Sequence, residues 1–147
     1  MKVRDIMTLD PQAITPDQPL SRAAEIMRDS DVGMVPVVSD DVNRTLVGLI
    51  TDRDIAIRHV AEAHPESCTV GAHMTRDNIA TVRETDDSGE VMDSMKRWEV
   101  RRIPVIDTRG ALIGVVAQAD IAVHRSIPRA EVADVVEAIS EPTFPLR

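Results

Sequence analysis

The residues of this 147-residue chain best suited to chemistry are Gly48-Leu-Ile-Thr51-Asp-Arg-Asp54. A glycine lets another backbone approach closely. A threonine at a helix start sets a hydroxyl beside free N–H groups, and the helix dipole there favours a phosphate. Asp54, one turn on, is an acceptor able to take both hydroxyls of a ribose cis-diol. Thr-x-x-acid is also the spacing of a capping box, in which the two side chains satisfy each other's backbone N–H groups. Both readings stand at this level. Arg53 supplies local positive charge, and Arg101-Arg102 is a second basic pair. A second copy, Gly114-Val-Val-Ala117-Gln-Ala-Asp120, keeps the glycine and the aspartate. Its alanine removes both the hydroxyl that would meet a phosphate and the side-chain cap.

Other reactive residues are less well arranged. His59, His64, Cys68, His73 and His124 include no two histidines at i,i+4 and no C-x-x-C, the spacings of strong metal sites. That predicts scattered surface histidines near a linker and no metal site. Cys68 has no base paired to it by spacing, which argues against nucleophilic catalysis. Asp40-Asp41 and Asp86-Asp87 fall where turns and helix starts use aspartate for local hydrogen bonds. The seven methionines fall mostly on apolar positions and read as core filler. With no P-loop, carboxylate–metal set or activated nucleophile, the chain reads as a binding module rather than an enzyme, with no catalytic residue.

Composition narrows the classes further. At 43% hydrophobic and 29% charged, the chain has enough apolar surface for a core and is not disordered. A net charge of −8 repels phosphate backbones, so nucleic acid is not an expected partner. Aromatic residues make up 1%, too few for a base-stacking platform. No apolar run approaches the roughly 20 residues of a membrane span. A single cysteine and an N-terminus without an apolar signal core point to the cytoplasm.

The elements that position these residues come from an internal repeat. Val3-Arg-Asp-Ile-Met-Thr8 returns as Val70-Gly-Ala-His-Met-Thr75, and Val35-Pro36-Val37-Val38 as Ile103-Pro104-Val105-Ile106. Met27 answers to Met95, Val32 to Val100, and Leu46–Ile50 to Leu112–Val116. Each copy reads as β-α-β-β-α after a short linker helix, which is Val3–Met7 in the first. The first copy has an extended piece at Ala13–Thr15, a helix from Leu20, strands Met34–Val38 and Leu46–Ile50, and a helix from Thr51 to about His64. The second has Thr81–Arg83, Ser88–Trp98, Ile103–Asp107, Ala111–Ala117 and Gln118–Arg125. After the repeat, Val132, Val135, Val136 and Ile139 form an apolar stripe on Arg129–Ser140, a docked or partner-facing helix. The expected class is α/β: repeats at 1–66 and 67–126, packed sheet to sheet, and a C-terminal helix and tail at 127–147.

Two copies of apolar-Pro-Val followed by Gly-x-x-Thr-x-x-Asp or its relic resemble a pair of CBS (cystathionine β-synthase) domains, a Bateman module. The likeness covers Met1–Arg125 and is greatest to stand-alone bacterial CBS-pair proteins, including the hypoxic-response type. It implies a regulatory module that binds an adenine nucleotide such as AMP or ATP, or another adenosyl ligand, between repeats, with no other cofactor. By the resemblance, Thr51 meets phosphate and Asp54, with Asp120 in the second copy, meets ribose. The base would lie against Ile14, Val35 and Pro36, its edge read by backbone groups of Thr15 and Val35. Arg53, Arg101 and Arg102 would serve the phosphates. The likeness also implies a homodimer, and Ala56, Ile57 and Val60 offer an apolar helix face for it. The alternative is a ligand-independent interaction protein that uses that face or the C-terminal helix.

Overall fold

The computed structural model describes residues 1–140; the tail expected at 141–147 lies outside them. In chain order a 3-10 turn at Val3–Asp5 precedes β1 (Thr8–Leu9), α1 (Leu20–Ser30), β2 (Met34–Val38) and β3 (Leu46–Thr51). Then come α2 (Asp52–Asp54), running directly into a π-helix at Ile55–Val60, and α3 (Val70–His73). The second repeat supplies β4 (Val82–Arg83), α4 (Ser88–Trp98), β5 (Arg102–Ile106), β6 (Leu112–Ala117) and α5 (Gln118–Val123), and α6 (Arg129–Ser140) follows. The linker helix expected at Val3–Met7 is thus only a single tight turn.

These elements form two compact units that do not follow chain order. One comprises Asp10–Ile79 with Thr108–Leu112, and the other Met1–Leu9, Ala80–Asp107 and, among the described residues, 113–140. In the first unit β2 and β3 are antiparallel, with Val35 opposite Ile50 and Val37 opposite Gly48. The extended piece expected at Ala13–Thr15 reduces to one bridging residue. The Ile14 N–H donates to the Pro36 carbonyl at 3.0 Å, and the Val38 N–H donates to the Ile14 carbonyl at 2.9 Å. On the far side of β3, Thr75 and Leu49 exchange both backbone hydrogen bonds, at 2.8 and 2.9 Å. In the second unit the strand order is β1-β6-β5-β4. There β4 is parallel to β5, and β1 is antiparallel to β6 with Thr8 opposite Val115. The two plans match.

Thr8 and Thr75 are repeat counterparts, so the segment that opens each repeat completes the sheet of the other. Glycine makes this possible. A Cβ on Gly48 would lie 2.7 Å from the Thr75 carbonyl oxygen, and one on Gly114 would lie 3.0 Å from that of Thr8. No other residue type allows that backbone approach without movement.

Each unit closes on its own apolar cluster. Ile14, Leu20, Ala23, Ile26, Met27, Val35, Val37, Ile50, Val70 and Met74 form one. The other centres on Val3, Val91, Met95, Ile103, Val105, Val116 and Ile121, and takes in Val135 of α6. Val132 and Ile139 pack against it, so the C-terminal stripe is docked core. Helices α1 and α4 end alike. Asp31 and Glu99 take left-handed φ of 52°, and the next residues' N–H groups, of Val32 and Val100, return to the Met27 and Met95 carbonyls. That closure satisfies helix-end carbonyls at a modest strain for non-glycine residues.

Gly48→Ala is expected to destabilise the chain by about 1–3 kcal/mol, the usual cost of forcing an extra carbon into a packed contact. Gly89→Ala is the control, because a Cβ there meets nothing within 4 Å and lies in helix α4, where alanine is favoured by about 0.8–1 kcal/mol. Urea denaturation that ranks Gly48→Ala no worse than Gly89→Ala would contradict the strand-closure contact.

Candidate functional site

The first unit holds Ile14, Thr15, Val35, Pro36, Thr51, Arg53 and Asp54. The centre of the group is the junction of β3 and α2. The Asp54 N–H donates to Thr51 Oγ1 at 3.0 Å, and the Thr51 N–H donates to Asp54 Oδ2 at 3.0 Å. This is the reciprocal capping box allowed by the spacing. Asp54 is 8% exposed. Its Oδ2 also faces the Thr75 hydroxyl at 3.5 Å, and its Oδ1 lies 3.6 Å from Arg58 Nε.

The cap leaves chemistry unused. Thr51 Oγ1 serves the box as an acceptor, so its own O–H proton is not spent by it. Asp54 Oδ1 takes no part in the box and keeps acceptor capacity beside a weak, half-exposed ion pair. A cap and a ligand contact can therefore coexist on the same two side chains. Ile14 and Val35 are 4% and 1% exposed and belong to the core. Pro36 is buried and Thr15 half-buried. The Thr15 hydroxyl donates to Asp17, and its carbonyl accepts from the Gln18 N–H. Arg53 is exposed at the start of α2.

The second unit holds Arg101, Arg102 and Asp120. There the Ala117 N–H donates to Asp120 Oδ2 at 2.8 Å. That is the backbone half of the box; alanine has no oxygen for the other half. The Gln118 N–H donates to the Arg101 carbonyl at 2.8 Å, which sets Arg101-Arg102 beside this junction. In the first unit the matching acceptor is the carbonyl of Gly33, which receives the Asp52 N–H. One junction thus carries the hydroxyl, while the other carries the paired arginines.

The acidic pairs are local devices. Asp40 Oδ1 accepts from the Val42 and Asn43 N–H groups at 2.9 and 2.6 Å. The bond from the Asn43 backbone is the main reason its carboxyl ionises more readily than usual. Asp86 accepts from the Arg83 N–H at 2.8 Å, and Asp87, at the start of α4, pairs with Lys2 at 2.9 Å.

The expectation of scattered histidines is corrected. His59, His64 and His73 gather, with ring centroids 4.9–6.3 Å apart, and Cys68 joins His59 and His73. Their spacing conceals this because the helix expected to reach His64 stops at Val60. It has the hydrogen bonds five residues back of a π-helix, and Pro65 disfavours helix at His64. The His64 N–H returns to the His59 carbonyl, five residues back, at 3.1 Å. Three histidines and one cysteine within fifteen positions, around a proline, were the available signal. Burial is the main reason the His73 imidazole is less basic than usual, and the neighbouring His64 and His59 add to it. His124 lies in the other unit.

Ala117→Thr is expected to complete the second box and stabilise the chain, whereas Thr51→Ala should cost about 0.5–2 kcal/mol, the usual effect of losing a cap. Opposite signs in paired urea titrations support this account; equal signs would refute it.

Comparisons place the chain among known proteins. The family model described as CBS domain matches residues 3–59 and 70–126. The chain is 34% identical over 139 residues to hypoxic response protein 1 of Mycobacterium tuberculosis, across 95% of this chain and 94% of that one. A crystal structure of hypoxic response protein I with two coordinated zinc ions superposes with a TM-score of 0.75 over 87% of this chain and 100% of that one, at 34% identity. A CBS domain pair in complex with 5′-methylthioadenosine and S-adenosyl-L-methionine is 29% identical, with a TM-score of 0.68 over 83% of this chain and 93% of that one. The AMP complex of CBSX2 is 26% identical, with a TM-score of 0.70 over 82% of this chain and 92% of that one.

Proposed function

The chain belongs to the CBS domain family, with two repeats, and on that footing we propose that it is a regulatory module that binds an adenosyl ligand and is not itself a catalyst. The observation that carries this reading is the Thr51–Asp54 junction, where the cap leaves a hydroxyl proton and a carboxylate oxygen available. Relatives at 26% and 29% identity have been solved with AMP and with S-adenosyl-L-methionine. Thr51 donates to a phosphate oxygen and Asp54 Oδ1 accepts from the ribose hydroxyls. Ile14, Val35 and Pro36, with the Thr15 and Val35 backbone, meet the base. Arg53 at this junction, and Arg101 and Arg102 at the other, meet phosphate charge. Asp120 offers the ribose contact of the second copy. Binding shifts the module toward whichever arrangement the ligand fits best, which is how a protein without a catalytic centre can report a metabolite.

The module acts as a homodimer in the cytoplasm. Ile57 and Val60 are 45% and 67% exposed on the π-helix, and Val123 is 79% exposed at the end of α5. Apolar side chains standing out on helix surfaces support association. No helix among the described residues is long and apolar enough to cross a membrane.

Calorimetry with AMP tests the ligand reading. A lost charge-assisted contact is worth about 1.5–3 kcal/mol, so Asp54→Asn should weaken the tighter event by roughly ten- to a hundredfold. Asp120→Asn should leave that event nearly unchanged. The reverse ranking would mean that the arginines beside Asp120, not the Thr51 hydroxyl, select the phosphate. No heat and no thermal shift with any of AMP, ATP or S-adenosylmethionine would favour the ligand-independent interaction reading.

Light scattering tests the dimer. The purified chain should run at twice the mass of one chain, and Val60→Glu should shift it toward the monomer. A wild-type monomer at micromolar concentration would refute the association.

A further inference from the structure

Outside the Thr51–Asp54 junction, the least explained feature is the imidazole and thiol cluster closed by the turn after the π-helix. One ligand-capable atom each of His59, Cys68 and His73 lies within 4.8 Å of the others. His73 is buried, while His59 and Cys68 are half-buried. His59 Nδ1 and His73 Nε2 are buried atoms with no hydrogen-bond partner. Ring nitrogens taken out of water without a partner cost free energy, and a native structure normally gives them one. The two rings that carry these atoms gather here with a thiol.

We propose that His59, Cys68 and His73 form a binding site for a single borderline-soft divalent cation of the zinc class. Two imidazoles and one thiolate are a donor set for such an ion and a poor one for magnesium or calcium, which take oxygen ligands. Bonds of about 2.0–2.3 Å in a tetrahedron would set the donor atoms ~3.3–3.7 Å apart, a contraction that small side-chain rotations supply. The three ligands leave a fourth position. The exposed His64, whose ring centroid is 4.9 Å from that of His73, is the candidate to fill it. Metal ligation requires neutral imidazole. Cys68 binds as thiolate, its proton leaving to solvent. Arg58 opposes a metal here, its Nη1 donating to the His73 carbonyl at 3.4 Å. Its charge is partly offset by Asp54, 3.6 Å away. The ion would tie the π-helix to Cys68 and to α3, closing the turn at 61–67 between them.

The test uses the full chain, purified without a histidine tag and stripped of metal, with Zn²⁺ and Co²⁺ as probes. About one Co²⁺ per chain is expected, with the visible bands of a tetrahedral ion and a thiolate charge-transfer band. In chelator competition, Cys68→Ser and His59→Ala should each weaken Zn²⁺ binding at least about tenfold. Cys68→Ser should also erase the charge-transfer band. His124→Ala, in the other unit, should change neither. His59 is only half-buried and serine is nearly isosteric with cysteine, so both test variants are expected to fold, which circular dichroism verifies. Binding well below one ion per chain, cobalt bound without a thiolate band, or variants with wild-type affinity would each overturn the site. AMP calorimetry on the same variants keeps this result separate from the adenosyl reading.

Discussion

A backbone lying against a strand with no side chain in the way is the contact on which both units depend. Thr75 pairs with Leu49 only because Gly48 has no Cβ, and Thr8 lies over Gly114 for the same reason. Since each Met–Thr segment belongs by sequence to the other repeat, neither repeat completes its own sheet. The repeats are coupled by chain connectivity before any ligand enters. A single repeat would leave the outer edge of β3 or β6 unpaired, and an open edge is a liability in water.

The same strand delivers the candidate junction. β3 ends at Thr51, and the first turn of α2 follows at once. The capping box orients Thr51 and Asp54 with two backbone hydrogen bonds. Thr75, brought in by the strand closure, adds its hydroxyl to Asp54. Side chains held this way lose little further freedom on meeting a ligand, which is the physical meaning of preorganisation. The second junction shares the strand, the turn and the aspartate, yet has Ala117 at the cap and arginines beside it. Duplication followed by divergence of a few side chains is enough to make the two junctions chemically unequal.

A departure from regular helix accounts for the histidine cluster. After Asp54 the chain widens to a π-helix and then turns at Ala61–Ala63, with Ala63 left-handed at φ 52°. Widened turns of this kind recur at functional sites because they re-aim side chains. Here Asp54 caps the π-helix at its N-terminal end and His59 lies near the other, so one short segment contributes to both places.

The sequence by itself determined the duplication, the α/β class, the spans of α4 and α6, and the Thr51–Asp54 pair. All of these rest on local chemistry: apolar periodicity, proline and glycine punctuation, and a capping spacing that acts within one turn. It also showed that Ala117 breaks the second copy, because an absent hydroxyl needs no coordinates to be noticed. Only the tertiary structure decided which repeat's opening segment completes which sheet, since two equivalent glycines cannot say which backbone approaches them. It alone showed that Arg101 and Arg102 sit with Asp120 in the unit that lacks Thr51. It alone gathered His59, Cys68 and His73, because spacing templates assume a regular α-helix, and here a π-helix and a proline turn replace one.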